Sequence, residues 1–412
     1  MDDKTSLYPR NISPSLTDAL ADTPVVCLLG PRQVGKTTLV QTDLPDRTYL
    51  TFDDISILTA AKQDPVGFIA ALPDQVTLDE IQRVPELLPA IKSSVDKNRQ
   101  AGRFLLTGSA NLLLLPQVSE SLAGRVEVIY LHPLSESEKQ RGKNCLLSDL
   151  IEGKIVQQIS SEQGVIACLP EAIVSGGYPE PITRNNARAR RWYRQYLNAI
   201  IQRDVKDIAA IKDENELLRL IEIVAYRTGS LLNLTSLSND LDIVRETVEK
   251  YLLILERLFL VRRLPAWHRN QSKRLVKSAK IHIVDSGLAS ALNRLNVDDW
   301  NSHNTEFGAL LESFVVQQFI CQAGWFDYDL HFSHYRDKDQ IEVDLVIEQD
   351  RDVWGVEIKR AATIQAKDGA GLKRLSNQAG KCFKGGILLY SGNNCFSLGE
   401  NLYAVPMDWL WK

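Results

Sequence analysis

Gly30-Pro31-Arg32-Gln33-Val34-Gly35-Lys36-Thr37, followed by Thr38, decides how the first third of this 412-residue chain is read. The stretch fits G-x-x-x-x-G-K-[ST] at every fixed position. At ordinary glycine usage, a chance match in a chain of this length is on the order of one in a hundred. The flanks suit the motif. Residues 24–29, Pro-Val-Val-Cys-Leu-Leu, form the short apolar run of a strand buried on both faces, and Lys36 to Gln41 reads as the first turns of a helix. The glycines let backbone N–H groups curl round phosphates, Lys36 reaches the outer phosphates, and the Thr37 hydroxyl joins a magnesium shell. The helix N-terminus adds partial positive charge. The expected ligands are therefore ATP and Mg2+, held by Gly30, Pro31, Arg32, Gln33, Val34, Gly35, Lys36, Thr37 and Thr38.

A phosphate loop needs an acid to hold the metal, and Val76-Thr77-Leu78-Asp79-Glu80 ends an apolar run with two. Asp79 is the expected magnesium residue. Glu80 is the expected group to orient and deprotonate the attacking water. The next apolar run leads into Thr107-Gly108-Ser109. Ser109, with Asn111 second, is the polar residue expected beside the outer phosphate. Arg125, Arg203 and Arg227 are candidates for the arginine that meets transition-state charge, in the same chain or across a subunit boundary. Strands at Tyr49–Phe52, Val76–Leu78 and Phe104–Leu106 alternate with helical stretches, which implies an α/β unit with a parallel sheet ending near residue 135.

Composition bounds the rest. An apolar fraction of 44%, a charged fraction of 24% and a net charge of −4 fit an ordinary globular chain and exclude a bulk polycation. The start lacks a signal peptide's apolar core and no run is long enough to span a membrane. The six cysteines are scattered and none form Cys-x-x-Cys, which argues against a zinc knuckle or redox pair and for a reducing cytoplasm. The histidines at 132, 282, 303, 331 and 334 are not at metal spacing.

Residues 136–200 read as polar linkers, then Gly176-Gly-Tyr-Pro179, then a helix rich in Arg and aromatic residues. In 205–260, two helical stretches flank a tight turn at Asp242, the spacing of a helix-turn-helix, with Val244, Val248, Leu252 and Leu255 as the core stripe. Arg262, Arg263, Arg269, Lys273, Arg274, Lys277 and Lys280 follow with no acid among them, as a basic wing for phosphates would. Beyond Gln340 the pattern becomes a hairpin, Ile341–Ile347 and Val353–Ile358. Side chains alternate along a strand, so Glu357 and Lys359 share a face and Asp344 can come opposite them. Glu312, on an upstream helix, could complete the set. An acid, a spacer and Glu-x-Lys resemble the PD-(D/E)XK nuclease pattern, which implies that Asp344 and Glu357 would bind Mg2+ and Lys359 would orient a water on a phosphodiester. The bland alternative is that these charges pair among themselves.

The chain resembles the prokaryotic AAA-plus ATPase family that carries a C-terminal domain similar to PD-(D/E)XK nucleases. The resemblance rests on Gly30–Thr38, Leu78–Gln82, Leu106–Ser109, Ser121–Arg125, Gly176–Glu180, Gln202–Val205, Arg227–Asn233 and His282–Leu288, spread over nearly the whole chain. It implies a P-loop AAA-plus-like domain (1–135), a helical lid or linker (136–204), a winged helix-turn-helix (205–290) and a nuclease-like α+β domain (291–412). The residue reading gives the catalytic set Lys36, Glu80, Ser109 and the candidate Arg125 in the first domain, and the resemblance implies Glu312, Asp344, Glu357 and Lys359 in the last. The leading expectation is ATP-dependent action on DNA or RNA. The rivals are a non-nucleolytic ATP-switched module and an ATPase that remodels protein partners. A homo-oligomer is open to it, and a membrane is not an expected partner.

Overall fold

The computed structural model describes residues 7–109, 124–159, 168–208, 213–270, 274 and 277–412. Asn111, Ser121–Ala123 and Lys273 lie outside the described residues.

Five strands, β1 (Val25–Leu29), β2 (Thr48–Thr51), β3 (Val76–Asp79), β4 (Phe104–Gly108) and β5 (Val126–Tyr130), form a parallel sheet in the order β2-β3-β4-β1-β5. β1 is buried throughout because both faces of the sheet are covered. Alternation sends Val26 and Leu28 into one apolar cluster and Val25, Cys27 and Leu29 into another. Full burial of each such side chain contributes roughly 1.5–3 kcal/mol. Because the strands are parallel, their C-terminal ends share one edge of the sheet, which brings Gly30, Asp79 and Gly108 together.

The segment read as a polar linker begins as buried structure. Ser135 caps the short helix Glu136–Lys139 in a reciprocal capping box with Glu138, and Glu138 is 2% exposed. A long helix, Asn186–Ile208, then runs back past the phosphate loop. Two of the motifs behind the family resemblance meet here: Asp285 caps the helix Ser286–Leu292 and also accepts from the Gly177 N–H at 2.7 Å.

The middle unit packs helices Glu214–Tyr226, Leu234–Leu241 and Arg245–Arg257 on a small sheet of β6 (Ser230–Leu231), β7 (Val261–Leu264) and β8 (Lys280–Ile283), ordered β6-β8-β7. Asp242 makes the turn between the second and third helices at φ +56°. Val244 precedes the third helix and is 64% exposed, so it leaves the expected core stripe; Val248, Leu252 and Leu255 remain in it.

The C-terminal unit is a mixed sheet of β9 (Leu330–Arg336), β10 (Glu342–Gln349), β11 (Asp352–Lys359), β12 (Phe383–Tyr390), β13 (Phe396–Gly399) and β14 (Leu402–Pro406), ordered β13-β14-β12-β11-β10-β9. β10 and β11 form the expected hairpin. Helix Asn304–Ala323 is apolar on nearly every side and correspondingly buried. Its Gln318 accepts from the Glu136 N–H and its Gln322 from the Leu147 N–H, each at 2.9 Å. One apolar cluster therefore runs from Leu28 through Leu252 to Phe314 and Val356. No described helix is long and apolar enough to cross a membrane.

Candidate functional site

At Gly30 the chain leaves β1 so close to its neighbour that an added Cβ would lie 2.1 Å from the Leu131 carbonyl oxygen. Only glycine fits there. Gly35 closes the loop at φ +97°, a conformation that disfavours any side chain. Lys36 opens the helix Lys36–Asp43 and donates from Nζ to the carbonyls of Gly30 and Pro31, both at 2.8 Å. A phosphate oxygen carries more charge than either carbonyl and would be the stronger partner for that ammonium.

Thr37 Oγ1 donates to Asp79 Oδ2 at 3.2 Å. Asp79 is 4% exposed and also receives the hydroxyls of Tyr49 and Thr107. Burial, then Asp79 itself, pushes the Tyr49 phenol well above its usual range, which fixes it as a donor. Because β4 lies between β1 and β3, Ser109 stands between the loop and Glu80. Ser109 Oγ donates to Glu80 Oε2 at 3.2 Å, and the Gln82 amide donates to both. Glu80 sits at φ +59°. A non-glycine residue in that region costs on the order of 1–3 kcal/mol, a strain that clusters at working sites.

The loop floors a cleft of about 810 Å³, within the range of small-molecule sites. Tyr8, Pro179 and Trp192 supply apolar wall. Tyr196 stacks on Trp192 and donates from its hydroxyl to the Arg32 carbonyl at 3.1 Å, which ties the long helix to the loop. Arg10, unnoticed in the sequence, braces the loop from behind: it donates to Val34 O at 2.7 Å and His132 O at 2.6 Å and pairs with Glu138 at 3.0 Å. The capping box Ser135-x-x-Glu138 was a readable signal for half of this brace; nothing marked Arg10 itself.

The arginines separate. Val126 pairs with Val25 at the start of β1, whereas the loop follows its end. Arg125 therefore lies at the opposite edge, roughly 17 Å away at about 3.3 Å per residue, and pairs with Asp96 at 2.5 Å. It is excluded as a residue serving its own loop. Arg227 belongs to the middle unit, bonded to Ser236 and Asp240. Arg203 is on the loop's side of the sheet, 3.3 Å from Asp53.

In the C-terminal sheet the register Leu345↔Val356 puts Asp344 beside Glu357, and the Ile358 N–H donates to Asp344 Oδ2 at 2.9 Å. Lys359 Nζ donates to Glu357 Oε1 at 2.7 Å. Glu312 joins from its helix, as anticipated, but the cation it meets is Lys280, at 2.8 Å, with Asp344 3.5 Å from the same ammonium. Burial and then Asp344 hold the carboxyls of Glu312 and Glu357 above the ordinary range. Burial works against the Lys280 charge, yet Glu312 and Asp344 more than offset it and keep the ammonium above its usual value. Among the described residues no three His, Cys, Asp or Glu side chains are placed to share a metal ion. In this conformation the Lys280 ammonium lies among the carboxylates that the sequence reading set aside for metal.

Part of the expected basic wing is turned inward. Arg262 is half-buried and donates to Gln317, Arg263 pairs with Glu249 and Glu256, and Arg274 grips both oxygens of Glu348. Lys277 donates to the Arg336 carbonyl, and Trp267 is packed in an apolar cluster with Tyr335. These side chains reach the C-terminal unit and the middle helices, while Arg269 and Lys277 stay exposed.

A phosphate loop on a parallel sheet, with Asp79 and Glu80 beside it, defines a P-loop ATPase-like domain. The family model described as an AAA domain matches residues 22–155, and two domains of unknown function, DUF8612 and DUF4143, match 167–299 and 307–410. The chain is 30% identical over 403 residues to the uncharacterized protein Rv2008c of Mycobacterium tuberculosis, which covers 97% of this chain and 83% of that protein; Mb2031c of Mycobacterium bovis matches equally. The chain belongs to the family of these mycobacterial proteins. An uncharacterized protein of Haemophilus influenzae is 27% identical over 219 residues, 51% of this chain and 50% of its own length. Among solved structures, the Walker-type ATPase of Pyrococcus abyssi aligns with a TM-score of 0.44 at 14% identity, covering 70% of this chain and 99% of that one.

Proposed function

We propose that the chain binds ATP with Mg2+ at Gly30–Thr38 and hydrolyses it, and that the cycle moves the middle unit relative to the C-terminal unit. The observation that carries this is the Thr37 hydroxyl at 3.2 Å from Asp79, with Glu80 and Ser109 beside it. Thr37 and Asp79 suit a magnesium ion, which would neutralise charge on the outer phosphates. Lys36 would hold those phosphates, Glu80 would take the proton of the attacking water, and Ser109 would fix the direction of the Glu80 carboxylate. The long helix Asn186–Ile208 supplies the route outward, since Tyr196 touches the loop and Tyr193 lies against the Asp285 joint. The proposed division keeps a P-loop domain (1–135), a helical connector (136–204), a winged-helix-like unit (205–290) and a nuclease-like unit (291–412).

A second reading, an ATP-dependent nuclease, is favoured by the convergence of Glu312, Asp344, Glu357 and Lys359 in one place. The non-nucleolytic switch is favoured by Lys280, which already balances that set. One experiment separates them: ATPase activity of the full chain with and without DNA or RNA, with cleavage followed in the same tube. Phosphate release without strand cleavage supports the switch; cleavage lost in Asp344→Asn supports the nuclease. Absence of ATP binding refutes both.

A further inference from the structure

Lys280 belongs to one unit by its backbone and to another by its charge. β8 pairs with β6 and β7 in the small middle sheet. The Lys280 ammonium nevertheless points into the C-terminal acid set, 2.8 Å from Glu312 Oε1, 3.5 Å from Asp344 Oδ1 and 3.6 Å from Glu342 Oε2. Two residues on, on the same face of β8, His282 approaches Glu312 at 3.9 Å and shares a hydrogen bond with Ser313 at 2.9 Å. On the other side Glu357 is 6% exposed, and its Oε2 has no hydrogen-bond partner.

A magnesium ion takes its oxygens at about 2.0–2.1 Å and keeps several waters. An ion using Glu312 together with Asp344 would sit among the oxygens that now surround the Lys280 ammonium. A dication and an ammonium cannot share that space, because each is there to balance the same carboxylates. We infer that Lys280 is a built-in counter-cation that keeps the C-terminal acid set free of divalent metal, and that withdrawal of β8 is what would open the set to one.

The Lys280 side chain is only 4% exposed, with little room to rotate away, and the strand leading to it is strapped to the C-terminal sheet. Trp267 N–H donates to His334 O at 2.6 Å and His334 N–H donates to Pro265 O at 2.9 Å, along the edge strand β9. Arg274 holds Glu348 at 2.6 and 2.9 Å, and Lys277 holds the Arg336 carbonyl at 3.1 Å. Release of Lys280 therefore requires the middle unit to shift as a body, the motion that the proposed ATP cycle would drive. The inference about metal stands without that reading and without any nuclease activity.

The test is a titration of the nucleotide-free full-length chain with Mn2+, free ion being read by electron paramagnetic resonance. The wild type is expected to bind, up to ~1 mM, no ion that Asp344→Asn removes. Lys280→Met should gain one site, about tenfold or more tighter than any in the wild type, and adding Asp344→Asn should abolish it. If Lys280→Met does not fold, the charge-balanced Lys280→Met/Glu312→Gln chain should still gain a weaker Asp344-dependent site. A wild-type site sensitive to Asp344→Asn overturns the inference. So does a folded Lys280 variant that gains no ion. ATP binding, measured on the same samples, reports separately on the phosphate loop.

Discussion

Glu80→Gln tests the chemistry assigned to the strand-end acids. The substitution keeps size and leaves an oxygen to accept from Ser109 Oγ, now at 3.2 Å, while Gln82 can turn its amide to suit the new neighbour. The observed bonds of Glu80 run to Ser109 and Gln82, whereas Lys36 is held by Gly30 and Pro31 and Thr37 by Asp79. Nucleotide binding should therefore change by less than about threefold, roughly 0.7 kcal/mol. Turnover should not survive so well. Removing a general base costs about 10²–10⁴ in rate, or roughly 2.7–5.4 kcal/mol of barrier. The assay pairs steady-state phosphate release with fluorescent-ATP binding at saturating Mg2+. A variant that hydrolyses within about threefold of wild type would refute the role given to Glu80. A variant that loses binding and turnover together would show that Glu80 supports the loop instead of acting on water.

Two further outcomes follow from the geometry. Gly30→Ala forces a Cβ against the Leu131 carbonyl at 2.1 Å, a backbone contact with little room to yield, so urea unfolding should show a loss of about 1–3 kcal/mol; an unchanged midpoint would contradict the close approach. The acid set makes stability depend on pH: burial and then Asp344 raise the Glu312 and Glu357 carboxyls well above the usual carboxylate range, so the fold holds their protons more tightly than the unfolded chain does. Their contribution is present at acid pH and is lost as pH rises through the raised titration of the pair. Asp344→Asn should flatten urea stability between pH 6 and 8, and a profile as steep as wild type would contradict the arrangement.

The loop at Gly30–Thr37 was legible because its chemistry is local: two glycines, a lysine and a threonine work through the backbone they sit in. Asp79, Glu80 and Ser109 were legible for a related reason, since each ends an apolar strand and parallel strands end on one edge. The β10–β11 hairpin followed from period-two alternation. What the sequence hid was partnership at long range. Lys280 and Arg274 look like members of a basic run, and only the fold reveals Glu312 and Glu348 facing them. Arg125 was one of three candidate arginines that the sequence could not tell apart, and only the fold puts the start of β5 at the far edge of the sheet. Arg10 spans 128 residues to reach Glu138, a pairing that no periodicity carries.

The central claim is that the loop binds ATP through the ammonium at Lys36, and Lys36→Ala tests it most directly. The two bonds now made to Gly30 and Pro31 would be exchanged for bonds to phosphate oxygens, and charge-assisted bonds of this kind contribute about 1.5–3 kcal/mol each. Isothermal titration with ATP and Mg2+ should show wild-type binding and a loss of affinity in Lys36→Ala of at least about a hundredfold. Equal affinity in a folded Lys36→Ala chain, or no ATP binding by the wild type, would contradict the account.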